Sequence, residues 1–295
     1  MKILVTGSKG QVGQSLVRLL EARNDVELRA LDRDKLDITN KQEVDSIVAD
    51  FAPDIVINAA AYTAVDKAES DIQLATAINR DGPLFLAEAA QKIGAALLHI
   101  STDYVFDGKK VGSYSEEDQT EPQSVYGKTK LEGEFAVASV CERHIILRTA
   151  WVFSEYGNNF VKTMLRLAET HDNLSIVGDQ SGGPTYALDI AKALVLISEQ
   201  ITTGRDVEYG TYHFSGLPHV SWYEFADAIF SAAGSQMLIS NKPVLKSITT
   251  SEYPTAAKRP ANSKLNIDKI YNDFAIEASD WQRALNNLSA YQENG

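Results

Sequence analysis

A short apolar run at the amino terminus leads directly into three regularly spaced glycines, and this limits the possible folds more than any other feature of the chain. Residues 2–6 (KILVT) read as a buried strand. Gly7, Gly10 and Gly13 follow, and Val12, Leu16, Leu19 and Leu20 then recur at helical spacing. In a strand–turn–helix unit Gly7 permits the tight turn, Gly10 lets the backbone approach a pyrophosphate, and Gly13 lets the helix pack close to the strand. The spacing is G-x-x-G-x-x-G rather than G-x-G-x-x-G. It predicts a nucleotide-binding turn at the start of the chain.

The pattern after that turn repeats the same unit. Strand-like runs at 26–31, 55–61, 95–100 and 144–149 alternate with helical segments, including one from 72 to 92 and one that carries Tyr126 and Lys130. Alternation of this kind predicts a parallel sheet with helices on both faces, an α/β, Rossmann-like doubly wound fold. Beyond residue 150 the pattern is less regular: helices are expected near 158–170, 189–200, 221–233 and 279–291, with loops at 180–185 and 254–263. At 295 residues the chain exceeds what one core usually serves. The expected division is a nucleotide-binding unit of residues 1–150 with 180–214, and a smaller α/β substrate-binding unit of 151–179 with 215–295.

Charge and cysteine content narrow the function class. A net charge of −12 disfavours nucleic acid and anionic membranes. A single cysteine, Cys141, excludes an internal disulfide and suits a reducing compartment. The amino terminus turns polar too early for a signal peptide, and no apolar run approaches the roughly 20 residues that span a bilayer. A soluble cytoplasmic protein is expected, with a homodimer as the default assembly.

Ligand-binding groups of such a sheet sit at the carboxyl ends of its strands. Asp32, ending the second strand, can accept hydrogen bonds from both adenosine ribose hydroxyls and so favours NAD, whereas Arg33 beside it suits the 2′-phosphate of NADP. NADH and NADPH both stay open. Asp37 either reaches the adenine or fixes its own loop. The third strand ends in small residues, Ala59 to Ala61, which leave room for a ligand. His99 lies within an apolar strand and reads as a buried structural histidine. Tyr126 and Lys130, one helical turn apart, share a face, and an ammonium beside the phenol would lower its pKa. Thr102, at the end of the fourth strand, can converge with Tyr126 on one carbonyl oxygen, as a carbonyl reductase requires.

Longer stretches carry a specific resemblance. They are Gly10 to Gly13 (GQVG), Asn58 to Glu69 (NAAAYTAVDKAE), Ser101 to Phe106 (STDYVF), Val125 to Glu134 (VYGKTKLEGE), Arg148 to Val152 (RTAWV), Gly157 to Phe160 (GNNF) and Arg259 to Ser263 (RPANS). Together they resemble the dTDP-4-dehydrorhamnose reductase family of extended short-chain dehydrogenases/reductases, across most of the chain. The resemblance implies NAD(P)H-dependent reduction of the C4 ketone of dTDP-4-dehydro-β-L-rhamnose, a dTDP-sugar, for surface polysaccharide. It implies Tyr126 as proton donor, Lys130 as the residue that tunes it and holds the nicotinamide ribose, and Thr102 on the reacting carbonyl. Gly10, Gln11 and Val12 would lie at the pyrophosphate, Asp32, Asp37 and Ile38 near the adenosine, and Ala61, Tyr62 and Thr63 along the cofactor. Thr102, Asp103 and Trp151 would contact the sugar nucleotide; Trp151 alternatively fills a domain junction. Tyr104 either packs or contacts substrate, and Arg259 either meets the substrate phosphates or braces its loop. A 4,6-dehydratase would typically place Glu after Thr-Asp, but Tyr104 stands there. Magnesium accompanies some family members, which leaves a metal open, although no cluster here has clear ligand spacing. The alternatives are a reductase of another nucleotide-linked 4-ketosugar, or a non-catalytic NADP-binding regulator of the kind that serves methionine adenosyltransferase.

Overall fold

A computed structural model describes residues 1–293. In chain order the main elements are β1 (Lys2–Thr6), α1 (Gln11–Glu21), β2 (Glu27–Leu31), α2 (Lys41–Phe51), β3 (Ile55–Asn58), α3 (Ile72–Thr76), a π turn (Ala77–Asp81), α4 (Gly82–Ile93), β4 (Ala96–Thr102), α5 (Val125–Val140), β5 (His144–Thr149), α6 (Phe160–Ala168), β6 (Asn173–Val177), α7 (Ala187–Thr202), β7 (Gly210–His213), α8 (Trp222–Ser235), β8 (Val244–Ile248) and α9 (Asp268–Phe274). Six strands form one sheet in the order β7–β5–β4–β3–β1–β2, and every pair in it is parallel. The chain runs from β1 outward to β2 and then returns to the far side of β1 for β3. The carboxyl ends of β1 and β3 therefore flank the crevice where the winding reverses.

Strand periodicity divides the buried side chains between two layers. Ile3, Val5, Ile55, Ile57 and Leu98 pack against α1, α7 and α9, whereas Leu4, Val56, Leu97 and Ile146 pack against α2, α4 and α5. This is the Rossmann-like α/β sheet that the alternation predicts. The return of Ile270, Phe274 and Ile276 to the first layer was not visible in the sequence pattern. A further core is built from α6, α8, Ile176 of β6 and the segment around Trp281, Leu285 and Leu288, beside the parallel pair of β6 and β8.

Local chemistry explains several boundaries. Asn40 caps α2 by accepting from the backbone of Gln42 and Glu43. Ser221 and Glu224 form a reciprocal capping box at the start of α8. Other expectations need correction. β3 stops at Asn58, before the alanines. The loop expected at 180–185 contains two short strands, Ser181–Gly182 and Thr185–Tyr186. α7, expected near 189–200, begins earlier, directly after Tyr186 and without a side-chain cap. The single helix expected at 279–291 is instead a series of short turns, because Asp280 caps Trp281–Ala284 and the chain then tightens into a 3-10 turn at Leu285–Asn287.

Candidate active site

Two adjoining cavities lie at the carboxyl ends of the central strands. One, of about 430 Å³, is lined by Gly7, Lys9, Gly10, Asp32, Arg33, Asp37, Ile38 and the segment 59–64. The other, of about 600 Å³, is lined by Gly10, Gln11, Val12, Thr63, the segment 100–104, Tyr126, Lys130, Thr149 and Trp151. Lys9, Gly10, Thr63 and Ala59 to Ala61 border both, so the two form one channel.

The glycine turn forms its floor. Gly7 has φ +71°, and a Cβ there would stand 2.5 Å from the Ala60 nitrogen; at Gly13 it would stand 2.1 Å from the Gly7 carbonyl oxygen. Both positions require glycine. Gly13 packs behind the turn and does not border the channel. Gly10 caps α1 through its backbone alone, and no side chain bonds the free N–H groups of the first turn. An anionic group fits there. Gln11 also reaches away from the turn: its Oε1 accepts from Ser154 Oγ at 3.0 Å and Asn159 Nδ2 at 3.1 Å, which ties α1 to the loop before α6. Nothing in the sequence links positions that far apart.

At the other end, Asp32 pairs with Lys9, and this contact holds its carboxyl below the usual range. Arg33 is exposed beside it. Asp37 fixes its own loop by accepting from Thr39 N at 3.0 Å and Thr39 Oγ1 at 2.7 Å. Ile38 is buried against Gly82. The π turn also serves the site. Its Asn79 accepts from Tyr62 N at 2.8 Å and donates to Tyr62 O and to Thr129 Oγ1, so Asn79 shapes the alanine segment along the channel.

Ser124 caps α5, which presents Tyr126 and Lys130. Tyr126 and Thr102 line the same cavity. Burial pushes the phenol up to about 12, the Thr102 contact opposes this, and the nearby Asp103 charge adds to it. The expectation that Lys130 lowers this pKa is therefore corrected. The Lys130 amine turns into the sheet, 2.7 Å from the Ile100 carbonyl and 3.3 Å from His99 Nε2, and burial pushes it down to about 8. His99 is buried, as expected for a structural histidine, but it also touches this amine.

Thr102 donates to Asp103 Oδ1 at 3.0 Å and accepts from Tyr104 N at 3.2 Å. Asp103 is buried, and desolvation raises it to about 6. The Tyr104 ring meets Tyr126 edge-on at 5.4 Å. Trp151 is both a cavity-lining and a packing residue. It borders the channel, stacks on Trp222 at 3.5 Å, and lies over Gly182, where a Cβ would strike the indole. That packing holds it at φ +48°, a conformation costing about 1–2 kcal/mol for an L-residue. Arg259 is not among the residues lining the two cavities. It donates to Asp66 Oδ2 at 2.9 Å, and Asp66 also accepts from Ala257 N at 3.0 Å, so the 254–261 loop is clasped to the segment after β3. The Arg259 Nε atom is buried without a partner.

The family model for the RmlD substrate binding domain matches residues 1–293. A dTDP-4-dehydrorhamnose reductase from Aggregatibacter actinomycetemcomitans is 54% identical over 292 residues, covering 99% of each chain. The chain belongs to the dTDP-4-dehydrorhamnose reductase family. This is a family of oxidoreductases. A crystal structure of a family member from Clostridium acetobutylicum is similar at 40% identity and a TM-score of 0.91, covering 99% of this chain and 100% of that one. A member from Bacillus anthracis, solved in complex with NADP, is similar at 38% identity and a TM-score of 0.87, covering 96% of each chain. Among the described residues no helix is long and apolar enough to cross a membrane, and no group of three or more His, Cys, Asp or Glu could hold a metal ion. The glycine cradle and the channel fit a dinucleotide.

Proposed function

We propose that this chain reduces the C4 ketone of dTDP-4-dehydro-β-L-rhamnose to the alcohol of dTDP-β-L-rhamnose with NADPH or NADH, in the cytoplasm, as a step toward surface polysaccharide. The observation that carries the reading is that Thr102 and Tyr126 line one cavity, bordered by both the glycine turn and Trp151. In this reading a nicotinamide cofactor would lie on one side of the carbonyl and the sugar nucleotide on the other. Gly7, Gly10, Gln11 and Val12 would hold the pyrophosphate, Asp32, Arg33, Asp37 and Ile38 the adenosine end, and Ala61, Tyr62 and Thr63 the remainder. The unit of residues 1–150 with 180–214 serves the cofactor in this reading, and 151–179 with 215–295 the substrate.

When bound, the reduced nicotinamide supplies the hydride for C4. Tyr126 then gives its phenolic proton to the developing alkoxide: the tyrosine O–H breaks, the sugar O–H forms, and the phenolate is reprotonated from solvent through the channel. A phenol held near pKa 12 is protonated across the working range, which is the state a donor needs. The Thr102 hydroxyl turns from Asp103 to the same oxygen and stabilises its charge. Lys130 holds the ribose. Asp103 and Trp151 orient the sugar nucleotide.

Steady-state oxidation of NADPH and NADH by dTDP- and UDP-linked 4-ketosugars tests this reading. The expected result is turnover of dTDP-4-dehydrorhamnose with a 4-hydroxy product. Cofactor binding without turnover of any ketosugar would favour a non-catalytic regulator and overturn it.

A further inference from the structure

Thr6, Asn58 and His99 stand side by side on β1, β3 and β4: Thr6 is in register with Asn58, and Asn58 with His99. All three are buried. The Ala60 backbone N–H donates to Asn58 Oδ1 at 3.1 Å. A backbone N–H can only donate, so this contact fixes which end of the carboxamide is oxygen. Thr6 Oγ1 donates to the same oxygen at 2.7 Å. The opposite end, Nδ2, then faces His99 Nδ1 at 3.0 Å. An amide NH2 also only donates, so Nδ1 accepts and is unprotonated. The neutral ring must therefore carry its proton on Nε2.

That Nε2–H points at Lys130 Nζ, 3.3 Å away, and the other contact of Nζ is the Ile100 carbonyl at 2.7 Å. An ammonium in this position would set two N–H donors head to head inside the protein. An uncharged amine satisfies both contacts, accepting from His99 and donating to Ile100. We infer that His99 is a positioning residue for Lys130: its fixed Nε2–H favours the uncharged amine over the ammonium, lone pair toward the imidazole, in the cofactor-free protein.

The charged surroundings agree. Along α5 the neighbours of Lys130 are Tyr126, whose neutral phenol brings no charge, and Glu134. Glu134 favours the ammonium, but it is bonded to Arg148 of β5 and Ser101 of β4. From β4 come His99 and, at its end, Asp103, which Thr102 engages. Burial independently lowers the pKa of both His99 and Lys130. The catalytic consequence rests on the reading under Proposed function. Lys130 enters the reaction with a protonation state set from behind the sheet by residues that touch neither ligand.

Two measurements on the cofactor-free protein test the inference without any substrate. Long-range proton–nitrogen NMR of the His99 ring should show a protonated Nε2 and a bare Nδ1 at neutral pH; an Nδ1–H tautomer or an imidazolium overturns it. The second follows the ¹³Cε signal of Lys130, assigned by its loss in Lys130→Met, through a pH titration of wild type and Asn58→Asp. The new carboxylate only accepts, so Nδ1 must donate to it, Nε2 is left bare to accept from the ammonium, and the Lys130 midpoint should move to higher pH by about one unit, a tenfold change in the ammonium-to-amine ratio. An unmoved midpoint overturns the inference, and the tautomer measurement stands alone if the variant does not fold. With substrate, the pH profile of kcat/KM, which reports the free enzyme, should shift in the same direction in Asn58→Asp; a profile identical to wild type contradicts the positioning role. If the wild type turns over no ketosugar, the proposed function fails while the tautomer and the lysine titration still decide this inference.

Discussion

Arg148→Met should be among the most damaging single substitutions outside the glycine turn. Arg148 and Glu134 are both buried, and the guanidinium grips the carboxylate through Nη2 at 2.7 Å and Nε at 3.0 and 3.2 Å. Ser101 donates to the same carboxylate, and Phe106 lies with its ring centre 5.2 Å from the Arg148 Cζ. The pair thus joins α5 to β4 and β5 directly behind Thr102 and Lys130. Removing the arginine leaves a buried carboxylate with a single hydroxyl partner, which costs about 3–5 kcal/mol. At about 2 °C per kcal/mol for a chain of this length, the midpoint of thermal unfolding should fall by roughly 6–10 °C. Replacing both partners, as in Glu134→Leu with Arg148→Met, removes the stranded charge and should cost clearly less than the sum of the single changes, with a coupling of about 2 kcal/mol or more. Calorimetry and urea unfolding of the two single variants and the double variant complete the cycle. A loss below about 1 kcal/mol in Arg148→Met, or strict additivity in the double variant, would refute the reasoning.

Three other outcomes follow from the same geometry. Gly7→Ala forces a Cβ into the Ala59–Ala60 backbone at a positive φ; it should cost about 3 kcal/mol or more and abolish NADPH binding, read by thermal unfolding and fluorescence titration. Lys9→Gln leaves the Asp32 carboxylate without its partner, so the ratio of kcat/KM for NADPH over NADH should fall roughly threefold to tenfold, and the more so at low salt; an unchanged ratio contradicts the pairing. Asp103 is raised to about 6 when folded, so its charge opposes folding above that pH, and stability is recovered as pH falls from about 6 toward the unfolded value near 3.9. Asp103→Asn should therefore stabilise the fold at pH 8 by up to about 3 kcal/mol and have little effect at pH 4, as urea unfolding at the two pH values would show.

What could be read from the sequence was local. The glycine turn and the alternation of strands and helices depend on residues within a few positions of one another, and the structure has them in place. What could not be read depends on burial and on distant partners. The spacing of Tyr126 and Lys130 gives a shared helical face, but it does not reveal that the sheet supplies Ile100 and His99 as closer partners for the amine. The clasp between Arg259 and Asp66 joins positions 193 apart, and Gln11 meets Asn159 across 148. Trp151 shows no sign in sequence of its left-handed backbone, which follows from the stack on Trp222 and the space left by Gly182. The sequence carries one longer-range signal: Thr6, Asn58 and His99 are polar residues near the carboxyl ends of three apolar strands, and parallel register makes such residues neighbours.

The most direct test of the central claim is a single-turnover measurement of nicotinamide oxidation by Tyr126→Phe mixed with dTDP-4-dehydrorhamnose. The account predicts that NADPH binds as tightly as in wild type, while the hydride-transfer rate falls by about 10²–10⁴-fold, the usual contribution of a positioned general acid. A variant that reduces the ketosugar at the wild-type rate would contradict it.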